Sequence, residues 1–225
     1  MKRKHIFFAS LFAITTWLFV RPKKVNAFKP NLSLHLVGDS QTKRHLGKAY
    51  EEIFQEFKVS YFGKEGASFT DYVNDQELFK DAFKCADIII IQIGDNGIPN
   101  RPKAFSQFLT NVKNECPQSK LIFAGPMKAV KPSIKSSFIN TTNPESVRYL
   151  PNYNRIRRMW NERLQNWLKK ENIPYFNNYN TQENQPLDSD FSDNRKGDGV
   201  HLTKESAREQ ARLMCEYIYD LLERV

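Results

Sequence analysis

Three short stretches of this chain combine residue types that could cleave an ester. Gly38-Asp39-Ser40 follows an apolar run, and Asp198-Gly199-Val200-His201 lies near the C-terminus. A serine hydroxyl is a weak nucleophile until a base takes its proton. A histidine serves as that base when a carboxylate fixes its tautomer and stabilises the imidazolium. Asp198, three residues before His201, is spaced for that task. Between them, Gly94-Asp95-Asn96 follows the most apolar stretch of the chain, residues 88–93, and offers the Asn96 amide to a developing oxyanion. The chemistry implied is acyl transfer to water.

Such residues need a scaffold that delivers them to one place. Apolar runs predict strands over 32–37, 58–62, 88–93, 121–124 and 173–176. Helical spacing predicts helices over 43–57, 75–83, 103–114, 153–171 and 203–223. In the fourth of these, Ile156, Met159, Trp160, Leu164, Trp167 and Leu168 form one apolar face, with the tryptophans read as core. Strands alternating with helices imply a parallel sheet covered on both faces, with its site at the carboxyl ends of the strands. Ser40, Gly66 and Asn96 each fall just after a predicted strand and converge on one rim. Two long polar connections, 127–152 and 177–197, are candidates for the walls of that site.

Bulk properties bound the partners. The chain has 225 residues, 40% hydrophobic and 13% aromatic, which suits one globular domain. Its net charge of +9 is unevenly spread. Residues 1–27 hold six basic residues and no acid, while the remainder, with 28 basic and 25 acidic residues, is nearly balanced. Nucleic acid is therefore not expected as a partner. Lys2-Arg3-Lys4, an uncharged run over 6–20 and Val25-Asn26-Ala27 follow the order of a secretory signal peptide, with the catalytic domain over 28–225. Arg21, Lys23 and Lys24 beyond the run leave open an uncleaved anchor, the one route to membrane contact. Either way the domain is expected outside the cytoplasm. Cys85 and Cys116 precede adjacent strands and could form a disulfide or remain buried thiols; Cys215 reads as core.

Taken in order, Gly38-Asp39-Ser40, Gly66, Gly94-Asp95-Asn96 and Asp198 through His201 resemble the blocks of the SGNH or GDSL hydrolases, over about residues 32–203. The resemblance implies Ser40 as nucleophile, His201 as base and Asp198 as its orienter. It implies an oxyanion hole from the backbone N–H groups of Ser40 and Gly66 and the side chain of Asn96. It also implies a three-layer α/β/α sandwich, flavodoxin-like, with about five parallel strands. Three positions depart from the family pattern. Gln41 stands where a hydrophobic residue usually follows the serine, Gly97 stands where aspartate usually follows Asn96, and Gly63 rivals Gly66.

Other residues have plainer readings. Asp39 anchors its turn, Asp95 is a structural or solvated acid, and His35 belongs to the core, leaving His45 as the rival base. No cofactor or metal is expected, because no His, Cys or Glu cluster has ligand spacing. The substrate is expected to be a small-molecule or glycan ester. A small acyl group such as acetyl on an envelope or extracellular glycan is favoured by the polar loops. A lysophospholipase or thioesterase, and an inactive glycan-binding relative, remain as alternatives. Oligomeric state is not legible.

Overall fold

The computed structural model describes residues 31–131, 139–181 and 198–224. The N-terminal segment over 1–27, and parts of both polar connections, lie outside these residues. Strands β1 (Ser33–Gly38), β2 (Lys58–Gly63), β3 (Ile88–Gln92), β4 (Lys120–Ala124) and β5 (Tyr175–Phe176) form one parallel sheet. Their order is β2-β1-β3-β4-β5, the flavodoxin-like arrangement, in which the chain switches direction across the sheet between β1 and β3. A crevice opens at that point because the connections after β1 and β3 leave toward opposite faces.

Strand alternation supplies two cores. Ile89 and Ile91 of β3 face a layer built from α2 (Phe69–Asn74), α3 (Gln76–Ala82), α4 (Pro102–Glu115) and α5 (Leu150–Lys170). Phe69, Phe83, Phe105, Phe108 and Phe123 meet there, mostly edge to face, in the arrangement that the ring quadrupole favours. Ile88 and Ile90 face the other layer, α1 (Gly47–Ile53) and α7 (Lys204–Glu223). A strand buried on both faces has no place for polar alternation, which is why β3 opens with four consecutive isoleucines, Ile88 to Ile91.

Several elements differ from the sequence reading. The helix expected over 43–57 is a π-helical turn, Thr42–Leu46, leading into α1, which stops at Ile53. Phe54 and Phe57 keep the apolar spacing and stay buried, but the chain there is already turning to enter β2. Two short helices, α2 and α6 (Asn178–Thr181), occupy stretches expected to be loops. The apolar face expected on α5 is displaced. Met159 is 44% exposed, and the fully inward positions are Arg157, Asn161, Leu164 and Leu168. Among the described residues no helix is long and apolar enough to cross a membrane.

Cys85 and Cys116 are joined by a disulfide at the amino ends of β3 and β4. Cys215 is half-buried against the α1–α7 core. The bridge closes a loop of 31 residues around α4, and cross-links of that span typically stabilise by about 2–4 kcal/mol through the unfolded chain. A Cys85→Ser/Cys116→Ser variant is expected to lose stability of that order in chemical denaturation. Because the bridge sits at the opposite end of the strands from Ser40, esterase activity at 25 °C should be kept. An unchanged denaturation midpoint would contradict the bridge.

Candidate active site

Ser40 opens the first helical turn after β1, two residues beyond the end of the strand. That strand end is fixed from both sides. Gly38 pairs with Gly63 of β2 and Gln92 of β3, and its carbonyl accepts a hydrogen bond from the buried Tyr72 hydroxyl at 2.7 Å. The Asp39 carboxyl accepts from the Gln41 N–H at 3.0 Å and so closes the turn that presents Ser40. From Thr42, two residues after the serine, the backbone is π-helical, a conformation frequent at functional sites.

His201 comes from the segment just before α7, whose N-cap is Thr203. Its Nε2 lies 2.9 Å from Ser40 Oγ, and its Nδ1 lies 2.8 Å from Asp198 Oδ2. In the neutral tautomer that this pairing selects, Nδ1–H donates to the carboxylate and Nε2 accepts from the serine hydroxyl. The second Asp198 oxygen accepts the backbone N–H groups of Val200 (2.8 Å) and His201 (3.0 Å). Burial pushes the Asp198 carboxyl up, but the His201 ring and these two N–H donors outweigh it and hold the group below the usual carboxylate range. Asp198 is therefore a fixed anion beside the imidazole. His201 is 5% exposed and Ser40 8%, so the contact between them is largely shielded from water.

The third element is the β-turn after β3, closed by the Gly97 N–H donating to the Gly94 carbonyl. Asn96 sits exposed at its tip, and its amide donates to the Ala67 carbonyl at 3.1 Å. That bond joins the Asn96 turn to the loop carrying Gly66. Gly97 has φ of +127° with open space where a Cβ would stand, so backbone conformation and not crowding requires glycine after Asn96. Gly66, also exposed, turns its loop at φ of +71° beside the Asn96 contact. Gly63 by contrast is locked in the sheet opposite Gly38, and a Cβ there would strike the Lys43 backbone. The geometry thus favours Gly66 over Gly63 as the neighbour of Asn96.

His35 is buried, holding Ser60 Oγ and the Ala82 carbonyl at 2.7 Å each, as a core histidine. His45 lies in the π-helical turn, and the serine hydroxyl is taken by His201. Among the described residues no group of three His, Cys, Asp or Glu side chains could hold a metal ion. Beside the Asn96 turn a groove of about 570 Å³ runs between α2 and the start of α4, over Phe69, Val73, Pro99 and Ala104, with Arg101 and Lys103 at its rim.

Sequence reasoning missed what underlies the site. Arg157, 1% exposed, reaches up from α5 and donates to the carbonyls of Asp95 (2.9 Å) and Met127 (3.1 Å), with its Nη2 3.4 Å from Asp95 Oδ1. Asp95 is buried, not solvated, and also accepts the Met127 N–H at 2.9 Å. Arg157 thereby ties the turn carrying Asn96 to the end of β4, and its guanidinium also stacks on the Tyr153 ring at 4.2 Å. A basic residue in register with Asn161, Leu164 and Leu168 on an inward stripe was the available signal. Asp39 completes the cluster. Full burial pushes its carboxyl well above the usual range, the nearby Asp95 carboxylate adds to this, and Arg157 offsets it only in part.

Comparison with known proteins identifies the family and the fold. The model of the GDSL-like lipase/acylhydrolase family matches residues 35–214. No curated protein matches in sequence. Solved structures with the same fold include a GDSL-like lipase from Bacteroides thetaiotaomicron (17% identity, TM-score 0.54, covering 84% of this chain and 88% of that one). An extracellular lipase from Streptomyces rimosus (11%, 0.56, 82% and 99%) and a carbohydrate acetylesterase from Sinorhizobium meliloti (11%, 0.56, 84% and 99%) share it as well.

The Asp39 environment has a measurable consequence. A carboxyl whose folded pKa is raised binds more protons folded than unfolded, so its contribution falls as pH rises above about 4, the unfolded value. Asp39→Asn keeps an oxygen for the Gln41 N–H and removes the titration. The melting temperature of the variant relative to the parent should therefore climb as pH rises above about 4. Parallel curves would show that Asp39 titrates normally.

Proposed function

This chain belongs to the GDSL-like lipase/acylhydrolase family, and we propose that Ser40, His201 and Asp198 carry its ester hydrolysis. The observation that carries the reading is the unbroken chain of hydrogen bonds from Asp198 through His201 to Ser40 Oγ. Ser40 attacks the ester carbonyl as its proton passes to His201 Nε2, while Asp198 stabilises the imidazolium. The tetrahedral oxyanion is received by the N–H groups of Ser40 and Gly66 and by the Asn96 amide. His201 returns the proton to the leaving alcohol, and water then releases the acyl group by the same steps.

For substrate, we infer a small acyl group, acetyl first, on an envelope or extracellular glycan. Support comes from composition: Asn140, Thr141, Thr142 and Asn143, in the described part of the connection before α5, are polar and offer no apolar wall to an acyl chain. The same fold carries carbohydrate acetylesterase activity in the Sinorhizobium protein. A second reading rests on the apolar groove between α2 and α4, which suits an acyl chain. A disulfide between Cys85 and Cys116 favours an oxidising compartment, in line with an exported domain.

Ser40→Ala is expected to fold and to lose p-nitrophenyl acetate hydrolysis to background; a retained rate would overturn the nucleophile. Asn96→Ala should lower kcat about 10²–10³-fold with little change in melting temperature. Across p-nitrophenyl esters of increasing chain length, kcat/KM should peak at acetyl, and a maximum at long chains would move the assignment to the groove and a lipid substrate.

A further inference from the structure

We propose that Gln41 is a positioning residue that sets the Ser40–His201 contact by holding the peptide on both sides of the histidine. The proposal rests on Ser40 and His201 acting as nucleophile and base. Gln41 is 2% exposed, and both ends of its carboxamide are engaged. Nε2 donates to the Val200 carbonyl at 2.8 Å, and Oε1 accepts the Leu202 N–H at 3.1 Å. Those two groups flank His201, while the histidine's own N–H is held by Asp198. One side chain therefore does for the residue before and the residue after His201 what a neighbouring strand does in a sheet ladder.

The position of the clamp matters as much as its bonds. Ser40 and His201 are 161 residues apart in sequence, and His201 follows a long connection without regular spacing. Gln41 is covalently next to Ser40, and its own N–H is fixed by Asp39. The nucleophile and the backbone of its base are thus referenced to each other through one residue instead of across the whole domain. A hydrophobic side chain at this position would fill the space but leave the Val200 carbonyl and Leu202 N–H without this partner. Displacement of a reacting group by about 1 Å can cost about 10²-fold in rate.

The test compares the parent protein, Gln41→Met and Gln41→Glu. Methionine keeps length and burial but offers no donor or acceptor equivalent to the amide. Gln41→Met should lower kcat on p-nitrophenyl acetate by about 10–100-fold with KM within about twofold, and slow fluorophosphonate labelling of Ser40 in parallel. The downfield His201 Nδ1–H resonance in proton NMR should broaden or vanish, a readout that needs no turnover. Gln41→Glu replaces the donor only while protonated; once ionised, an oxygen faces the Val200 carbonyl. Its rate relative to the parent should therefore fall with rising pH between about 5 and about 9, a buried carboxyl titrating in that range. A folded Gln41→Met with parental kcat and an unchanged resonance overturns the clamp, as does a Glu-to-parent ratio that is flat with pH. If Gln41→Met does not fold, the Glu ratio and its resonance decide alone. A parent protein that is neither labelled nor turns over ester sinks the esterase reading instead, and the resonance comparison still judges the clamp.

Discussion

Everything at this site depends on one hydrogen bond, 2.9 Å from the Ser40 hydroxyl to the His201 imidazole. Its two partners arrive from opposite ends of the chain, and no local propensity brings them together. Side-chain hydrogen bonds between neutral groups add only about 1 kcal/mol each to stability, far too little to draw two loops into register by themselves. The contact exists because the loops are fixed by other means. On the serine side these are the flanked end of β1, the Tyr72 hydroxyl and the Asp39 turn. On the histidine side they are the two Asp198 oxygens, the Gln41 amide and the Val130 N–H, which donates to the Gly199 carbonyl at 2.8 Å.

The polar residues buried at the carboxyl end of the sheet share this role. Asn161 donates to the Pro126 carbonyl and accepts the Tyr175 hydroxyl, and Asn178 donates to the Gly125 carbonyl while accepting from Gln210. Each satisfies backbone groups at the end of β4 that have left the sheet ladder and are shut off from water. Arg157 does the same for the turn after β3, at the cost of burying a guanidinium beside the Asp95 carboxylate. Apolar side chains would pack as well and cost less desolvation. What they could not do is hold irregular backbone in a single arrangement.

Much of this was legible beforehand, and the reasons are specific. The isoleucine run of β3 and the strand–helix alternation pointed to a buried parallel sheet, and such sheets gather their sites at one rim. Ser40, Asn96 and Gly66 stood out because they follow predicted strands, and His201 with Asp198 by their short spacing. The structure brings Ser40, His201 and Asp198 into one hydrogen-bonded chain. Helix α2 was not found because six residues carry too little periodicity, although Ser68 and Asp71 form the capping box that announces it. The inward stripe of α5 was misplaced because apolar spacing weighed Met159 above Arg157, and only the turn after β3 explains why an arginine belongs inside. Gln41 and Gly97 registered as departures from a family pattern; the first holds backbone groups 159 and 161 residues away and the second answers to a positive φ.

The sheet separates two chemistries along a single axis. The disulfide lies at the strands' starting ends, where Cys85 is exposed and bonded to Cys116, while the Ser40–His201 contact lies at their finishing ends. The molecule therefore carries its own attachment point. A thiol left at position 85 by changing its partner would anchor the domain to a support with the Ser40 end of the sheet turned outward.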